Sequence, residues 1–282
     1  MADNAESNQA SVERRTRIRS TRIETAEALS YDPRQPRLGR RESEPHSEEI
    51  TYLYDVLRAN FPESRAMWDL HHYFLVGSEV VDIQFDISFF KNFKIEYSLS
   101  SYRAAKFNNR VPDMVINFLS KSTWHLDVGI HVDYCRLLKI PLYIVFSPFY
   151  IGKPIYKPPF LRAYILQSSG DYRIHDLQKI ALKQGATVAN REAVLDVSEL
   201  VPFNVGIMAL NTRHEGDLPR YRLVLVNVKN YEIYLTRAEQ EKARAEQEKA
   251  RAEQEKARAD QLQRQLEALQ RKLRIKDKEH NI

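Results

Sequence analysis

Apolar residues recur along this chain with more than one period, and each period predicts a different element. From Ser47 onward, Ile50, Leu53, Tyr54 and Leu57 fall at i, i+3, i+4 and i+7, the spacing of a helix with one buried face. Ser47 is suited to cap that helix, Glu48 and Glu49 to sit at its positive end, and Pro62 to close it. Strand-like runs follow at residues 70–76, 80–90, 114–119, 142–146, 163–167 and 221–228. Between two of them, residues 127–139 read as a helix, with Val128, Val132, Cys135 and Leu138 or Leu137 as its apolar set and Pro141 just beyond its end. Helices interleaved with strands in this order predict an α/β domain with a mixed sheet.

Two segments outside that domain have no such core pattern. Residues 1–46 are rich in Arg, Ser, Glu and Pro and are expected to be a disordered tail. Within it, Arg14, Arg15, Arg17, Arg19 and Arg22 would suit phosphate contacts, although a solvated tail without a partner has the same composition. The folded domain is expected over 47–236, and a helical segment over 237–282. There the heptad RAEQEKA occurs three times, at 237–243, 244–250 and 251–257. Glu–Lys and Glu–Arg pairs three residues apart, such as Glu239 and Lys242, add a little helical support. Leu262, Leu266, Leu269 and Leu273 are spaced 4, 3, 4, a coiled-coil stripe. Continued backwards, that stripe alternates Ala with Glu, a poor interface. The repeats therefore read as a solvated stalk, and the four leucines as a short homo-oligomerising tip.

Composition narrows the classes. The 282 residues carry 43 Lys+Arg against 38 Asp+Glu, a net charge of +5 that allows a nucleic-acid partner without requiring one. The lone Cys135 makes neither an internal disulfide nor a thiolate zinc site. No apolar run approaches the roughly 20 residues that span a bilayer, and the N-terminal residues MADNAESNQASVERR lack the apolar segment of a secretory signal. A cytoplasmic protein with no membrane partner is expected.

Candidate chemistry concentrates in two strands. In residues 80–90, Val81, Ile83, Phe85, Ile87 and Phe89 alternate with Asp82, Gln84, Asp86 and Ser88, which predicts one apolar face and one face with two carboxylates. In residues 110–123, Asp113 and Asn117 share a face of the next strand, which leads through a Ser/Thr-rich turn to Asp127 and His131, one helical turn apart. Carboxylates on neighbouring strands can hold Mg²⁺ through oxygen ligands, and a nearby base can activate the attacking water of phosphodiester hydrolysis. Other features read as structural. His71 and His72 point to opposite faces of one strand, residues 211–217 form a polar loop, and Trp68 and Trp124 pack in the core or at its rim. The loop 148–160, with Tyr150, Lys153, Tyr156 and Lys157, is either a DNA contact or an edge hairpin.

The run PDMVINFLSKSTWHLDVGIHVDYCRLLKIPLYIVFSP, residues 112–148, resembles the core signature of the Uma-type family of restriction endonucleases, a branch of the PD-(D/E)XK nuclease superfamily. That signature is a strand ending in Glu-x-x-Ser-x-Ser-Thr, then Asp, three residues, Lys, a tyrosine-bearing helix and another strand. The upstream strand Phe85-Asp86-Ile87-Ser88-Phe89 resembles the family's Pro-Asp strand, and Leu235-Thr236 followed by heptads resembles its C-terminal close. The resemblance implies a restriction-endonuclease-like mixed sheet flanked by helices, DNA as partner, and Mg²⁺ as cofactor of an active member. It makes Asp86 the first metal ligand, puts Asn117 where the family has Glu, His131 where it has Lys, and Cys135 where it has Tyr. Asn in place of a carboxylate removes a full charge from a hard-cation site, and His in place of Lys removes a permanent ammonium. The implied catalytic set of Asp86, Asn117 and His131, with Asp86 and Asn117 as metal ligands, is thus expected to be impaired or inactive. The alternative is an active endonuclease using Asp86 with a rearranged ligand set, in which Glu79, Asp82 or Asp113 compensates.

Overall fold

The computed structural model describes residues 43–279, with side chains described as far as residue 267. The arginine cluster at 14–22, the expected disordered tail through residue 42, and the side chains of Leu269 and Leu273 lie outside the described residues. Helix α1 spans Glu44–Asn60, so it starts three residues before Ser47, which lies inside it. Pro45 explains the earlier start, because its fixed φ and missing N–H suit a first helical turn, where Glu44 also favours the positive end. Its buried side includes Pro45, His46, Glu49, Ile50, Leu53, Val56 and Leu57.

The main sheet is built from β1 (Arg65–Val76), β2 (Glu79–Phe90), β3 (Tyr102–Arg103), β4 (Met114–Phe118), β5 (Leu142–Ser147), β6 (Phe160–Leu166) and β7 (Tyr172–Gln178). Their order is β3-β1-β2-β4-β5-β6-β7. Strand β2 is antiparallel to both β1 and β4, β3 runs parallel to β1 and β5 parallel to β4, and β6 and β7 continue antiparallel. The chain between those parallel strands forms two short helices, α2 (Trp124–Asp127) and α3 (Ile130–Leu137), where one helix over 127–139 was expected. A second sheet holds β8 (Val194–Leu195), β9 (Asn204–His214) and β10 (Leu218–Val226). The architecture is thus α/β, a large mixed sheet flanked by helices, followed by a long C-terminal helix. The expected strand at 221–228 belongs to the second sheet, and of the expected polar loop at 211–217 only 215–217 turn, with Gly216 at φ +74, because Asn211–His214 continue β9 in its hairpin with β10.

The main sheet separates two apolar clusters. One gathers Ile50, Leu53 and Leu57 of α1 with Ile87, Phe89, Ile116, Phe118 and Phe203, Val205 and Leu225 of the second sheet. The other gathers Ile83, Phe85, Phe90, Tyr102, Val115, Cys135 and Tyr143. Burial of each such side chain contributes about 1.5–3 kcal/mol. These memberships correct the reading of β2. Ile83 and Phe85 lie in one cluster and Ile87 and Phe89 in the other, so the strand changes face at Asp86. The cause lies opposite, where Asp69 of β1 has φ +48 and drops out of the otherwise continuous pairing between Trp68↔Ile87 and Leu70↔Phe85.

Two buried polar side chains of the fold, His72 and Glu49, are partnered. His72 Nδ1 lies 2.7 Å from the Leu70 carbonyl, which makes it the protonated nitrogen, and Nε2 accepts from the Ser88 hydroxyl at 2.8 Å. Burial lowers the His72 pKa to about 4, so this imidazole is a neutral structural group, while His71 faces outward. Glu49 is buried on α1 and accepts from the Arg222 guanidinium of β10 at 3.1 Å. Burial raises the Glu49 pKa, against the opposing pull of Arg222 and Arg220, and the pair ties α1 to the second sheet.

Helix α4 runs Arg237–Glu279, 43 residues or about 65 Å at the helical rise. Thr236 and Glu239 form a reciprocal capping box, in which Thr236 N–H donates to Glu239 at 2.8 Å and Glu239 N–H to Thr236 Oγ1 at 3.2 Å. Asp55 and Asn60 of α1 anchor its first turn by accepting from Arg237 N–H and the Gln240 amide. Beyond that turn its described side chains are exposed. Its ion pairs are spaced four apart, as in Arg237–Glu241 and Arg251–Glu255, rather than the three expected.

Candidate functional site

The site lies where β2 and β4 part. Their ladder pairs Phe89↔Met114, Ser88↔Val115 and Ile87↔Ile116, and the next pair in sequence would be Asp86 and Asn117. Instead of ladder bonds, side chains bridge the strands. Asp86 N–H donates to Asn117 Oδ1 at 3.3 Å, and Phe118 N–H donates to Asp86 Oδ2 at 2.6 Å. Each side chain thereby satisfies a backbone donor that would otherwise cost about 1–3 kcal/mol to leave unmade.

The far end of Asn117 faces the crossover helices. Its Nδ2 donates to Asp127 Oδ1 at 2.8 Å and lies 3.0 Å from His131 Nδ1, which in turn lies 3.2 Å from Asp127 Oδ1. The amide orientation follows from its partners, since a backbone N–H requires the oxygen on one side and a carboxylate the nitrogen on the other. Burial raises the Asp127 pKa, offset by the bond from His131, and the charge of Asp86 pushes it the same way as burial. The Asp127 carbonyl also accepts from the buried Tyr143 hydroxyl at 2.8 Å, which fixes the end of α2 over β5.

His131 reaches this network because the crossover breaks. Gly129 caps α3, and a Cβ there would come 2.7 Å from the His125 carbonyl oxygen. The close approach of that carbonyl requires glycine, and it sets α3 to begin at Ile130 with His131 in its first turn.

The sequence-identified residues Asp86, Asn117 and His131 are therefore joined in one hydrogen-bonded chain. The proposed compensating residues lie elsewhere. Asp82 is four residues along β2, about 13 Å at the strand rise, and its Oδ1 lies 2.9 Å from His71 Nδ1. Asp113 is equally far along the chain from Asn117, and it accepts from Lys91 N–H at 2.8 Å and lies 3.6 Å from Arg110. Glu79, at the exposed start of β2, is farther still from Asp86.

Three other residues adjoin the site, and two of them, His46 and Asp69, were not singled out as candidates. His46 Nε2, from the first turn of α1, lies 3.3 Å from Asp86 Oδ2, with its ring edge-on to Phe118. Asp69 accepts from the Gln84 amide and interacts electrostatically with Asp86, and its own pKa is raised chiefly by burial. Asp127 is the buried acceptor. Asp127 is the one the sequence points to, through its spacing of four from His131.

These donors do not suit a hard cation. The Asn117 oxygen is directed at Asp86 N–H, Asp86 Oδ2 takes both Phe118 N–H and His46, and Asp127 faces the Asn117 amide and His131. Among the described residues, no group of three or more His, Cys, Asp or Glu is placed to hold a metal ion.

The fold and site define an α/β protein with a polar fork between two strands. No family model and no curated protein matches the chain. Among solved structures, it is similar to one described as "a putative nuclease belonging to DUF820" from Anabaena variabilis, with TM-score 0.37 and 16% identity over 53% of this chain and 73% of that one. A likeness of that size assigns neither activity nor site.

Gly129→Ala is expected to lower stability to urea by about 1–3 kcal/mol, because the methyl group must displace a backbone carbonyl. A variant as stable as the wild type would show that the crossover does not depend on this approach.

Proposed function

We propose that this chain is a restriction-endonuclease-like, DNA-associated protein in which Mg²⁺-dependent phosphodiester hydrolysis is weakened or lost. The resemblance of residues 112–148 to the Uma-type signature supports the fold assignment, as does the order of elements around the Asp86 and Asn117 strands. One observation carries the loss of activity: both ends of the Asn117 amide are engaged within the chain. A carboxylate in its place would bring a second negative charge against buried Asp127, whereas the amide donates to it. Asn117 is thus matched to a closed hydrogen-bond network and poorly matched to a cation. His131, held between Asp127 and Asn117, supplies no permanent positive charge of the kind a lysine gives a developing phosphorane.

A second reading retains activity, with Asp86 working in a rearranged ligand set. The register of β1 on β2 favours it, since it sets Asp69 opposite Asp86 and a divalent cation is held by carboxylate oxygens.

Incubation with supercoiled and linear DNA in Mg²⁺ or Mn²⁺, beside an Asp86→Ala variant, separates the two. The expected result is no metal-dependent cleavage above that of the variant, with salt-sensitive DNA binding retained. Cleavage by the wild type that the variant loses would establish the second reading.

The proposal includes a homo-oligomer formed through Leu262, Leu266, Leu269 and Leu273. Leu262 and Leu266 are each 57% exposed on a helix whose preceding stripe is Ala and Glu, so a second copy supplies the apolar cover. Sedimentation is expected to show association of the full chain and its loss when residues 260–282 are removed. A monomer in both cases would exclude the leucine tip as the interface.

A further inference from the structure

The sheet domain, residues 43–236, carries 21 Lys or Arg against 21 acids, but they are unevenly placed, with a local excess of cations along the stretch that contains the candidate site. Residues 114–170 contain six Lys or Arg (Lys121, Arg136, Lys139, Lys153, Lys157 and Arg162) against two acids, Asp127 and Asp133. That span is a local +4, offset by acids elsewhere in the domain. Asp127 is buried in the site network, and Asp133 is paired with Arg136 at 3.1 Å, so neither offsets the lysines. Arg162 is bound to Asp176 at 2.7 Å and Arg136 also lies 3.6 Å from Asp171. Lys121, Lys153 and Lys157 are exposed, and among the described residues no carboxylate pairs with them.

Two segments far apart in sequence are joined to make this surface. Lys121 lies in the Ser/Thr turn after β4, where Ser120 Oγ and Thr123 Oγ1 are 2.6 Å apart and Thr123 N–H donates to Ser120 Oγ at 3.1 Å. Trp124 follows at the start of α2, and its ring meets the loop before β6. Lys153 Nζ sits 4.9 Å from the Trp124 ring centroid, and the Tyr156 ring lies 5.7 Å away. Tyr156 is in turn packed on Phe160, the first residue of β6, so the loop is fastened at both ends. A cation over an aromatic face is held in place while keeping its charge in solvent.

We infer that the phosphate backbone of duplex DNA docks on the surface formed by Lys121, Lys153 and Lys157, alongside the Asn117–Asp127 network. The inference rests on the nuclease-fold reading of the chain and names the face that the DNA meets. The chemistry is charge complementarity: three unpaired ammonium groups on fastened segments, with no exposed acid in 114–126 or 134–170 to oppose a polyanion. The repeats at 237–257 are a different case, since their cations alternate with glutamates and several are paired along the helix.

The test is fluorescence anisotropy of the full chain with a labelled DNA duplex over a range of NaCl concentrations. A Lys121→Ala/Lys153→Ala/Lys157→Ala variant is compared with a Lys242→Ala/Lys249→Ala/Lys256→Ala variant, which removes the same charge from the stalk. The surface variant is expected to bind about tenfold or more weakly at ~0.1 M salt and to lose roughly 3 from the slope of log K against log salt, with the stalk variant unchanged. Circular dichroism confirms that both variants are folded. If the wild type binds and the surface variant keeps its affinity and slope, the docking face is wrong while the DNA-associated reading stands. If the wild type itself does not bind, that reading and this inference fall together.

Discussion

Strands β2 and β4 cannot both stay paired and turn towards different clusters, and the way their separation is satisfied organises the rest of the site. At Asp86 and Asn117 the ladder ends, yet the backbone groups there are too buried to be left to solvent. Asp86 takes the Phe118 N–H and Asn117 takes the Asp86 N–H. Once the Asn117 oxygen is committed in this way, its amide nitrogen must face α2, where only an acceptor can sit. Asp127 is that acceptor, and its burial in turn calls for the second contact that His131 provides. Each residue in the sequence Asp86, Asn117, Asp127, His131 is thus placed by the need of the one before it.

Much of this was legible before the structure, and the parts that were not have identifiable causes. The helix through Ile50, Leu53 and Leu57 and the strands through Asp86 and Asn117 announce themselves because burial on one side imposes a period. The change of face at Asp86 leaves no such mark. It arises from Asp69 at φ +48 on the neighbouring strand, and a strand that changes face halfway along still alternates residue by residue. The broken crossover was read as one helix because Val128, Val132 and Cys135 keep helical spacing across the break, and a close carbonyl contact at Gly129 is a tertiary fact. Strand β7 was missed because it is an edge strand, with Arg173, Ile174, His175 and Asp176 all exposed and no face to be patterned. His46 was assigned to the tail, although Pro45 beside it is a helix-start signal in its own right.

The three zones of the chain make different electrostatic contributions. The repeats of the stalk carry charges that cancel, with pairs four residues apart that support the helix by tenths of a kcal/mol each, while the segment beyond them is net positive. The sheet domain balances 21 Lys or Arg against 21 acids, and a local excess of cations falls on the segments after β4 and before β6. A whole-chain charge is therefore a poor guide here, and its distribution over the fold is the informative quantity. In the proposed reading, this face, the closed fork and the leucine tip describe a protein that holds DNA without cutting it.

The central claim is that the Asp86–Asn117 fork is closed by hydrogen bonds and is not a cation site. Titration of the full chain with Mn²⁺ by isothermal calorimetry, beside the Asp86→Ala variant, tests it directly. The account predicts heats that are the same for the two proteins, with no saturable binding that depends on Asp86. Saturable Mn²⁺ binding by the wild type that Asp86→Ala abolishes would contradict it.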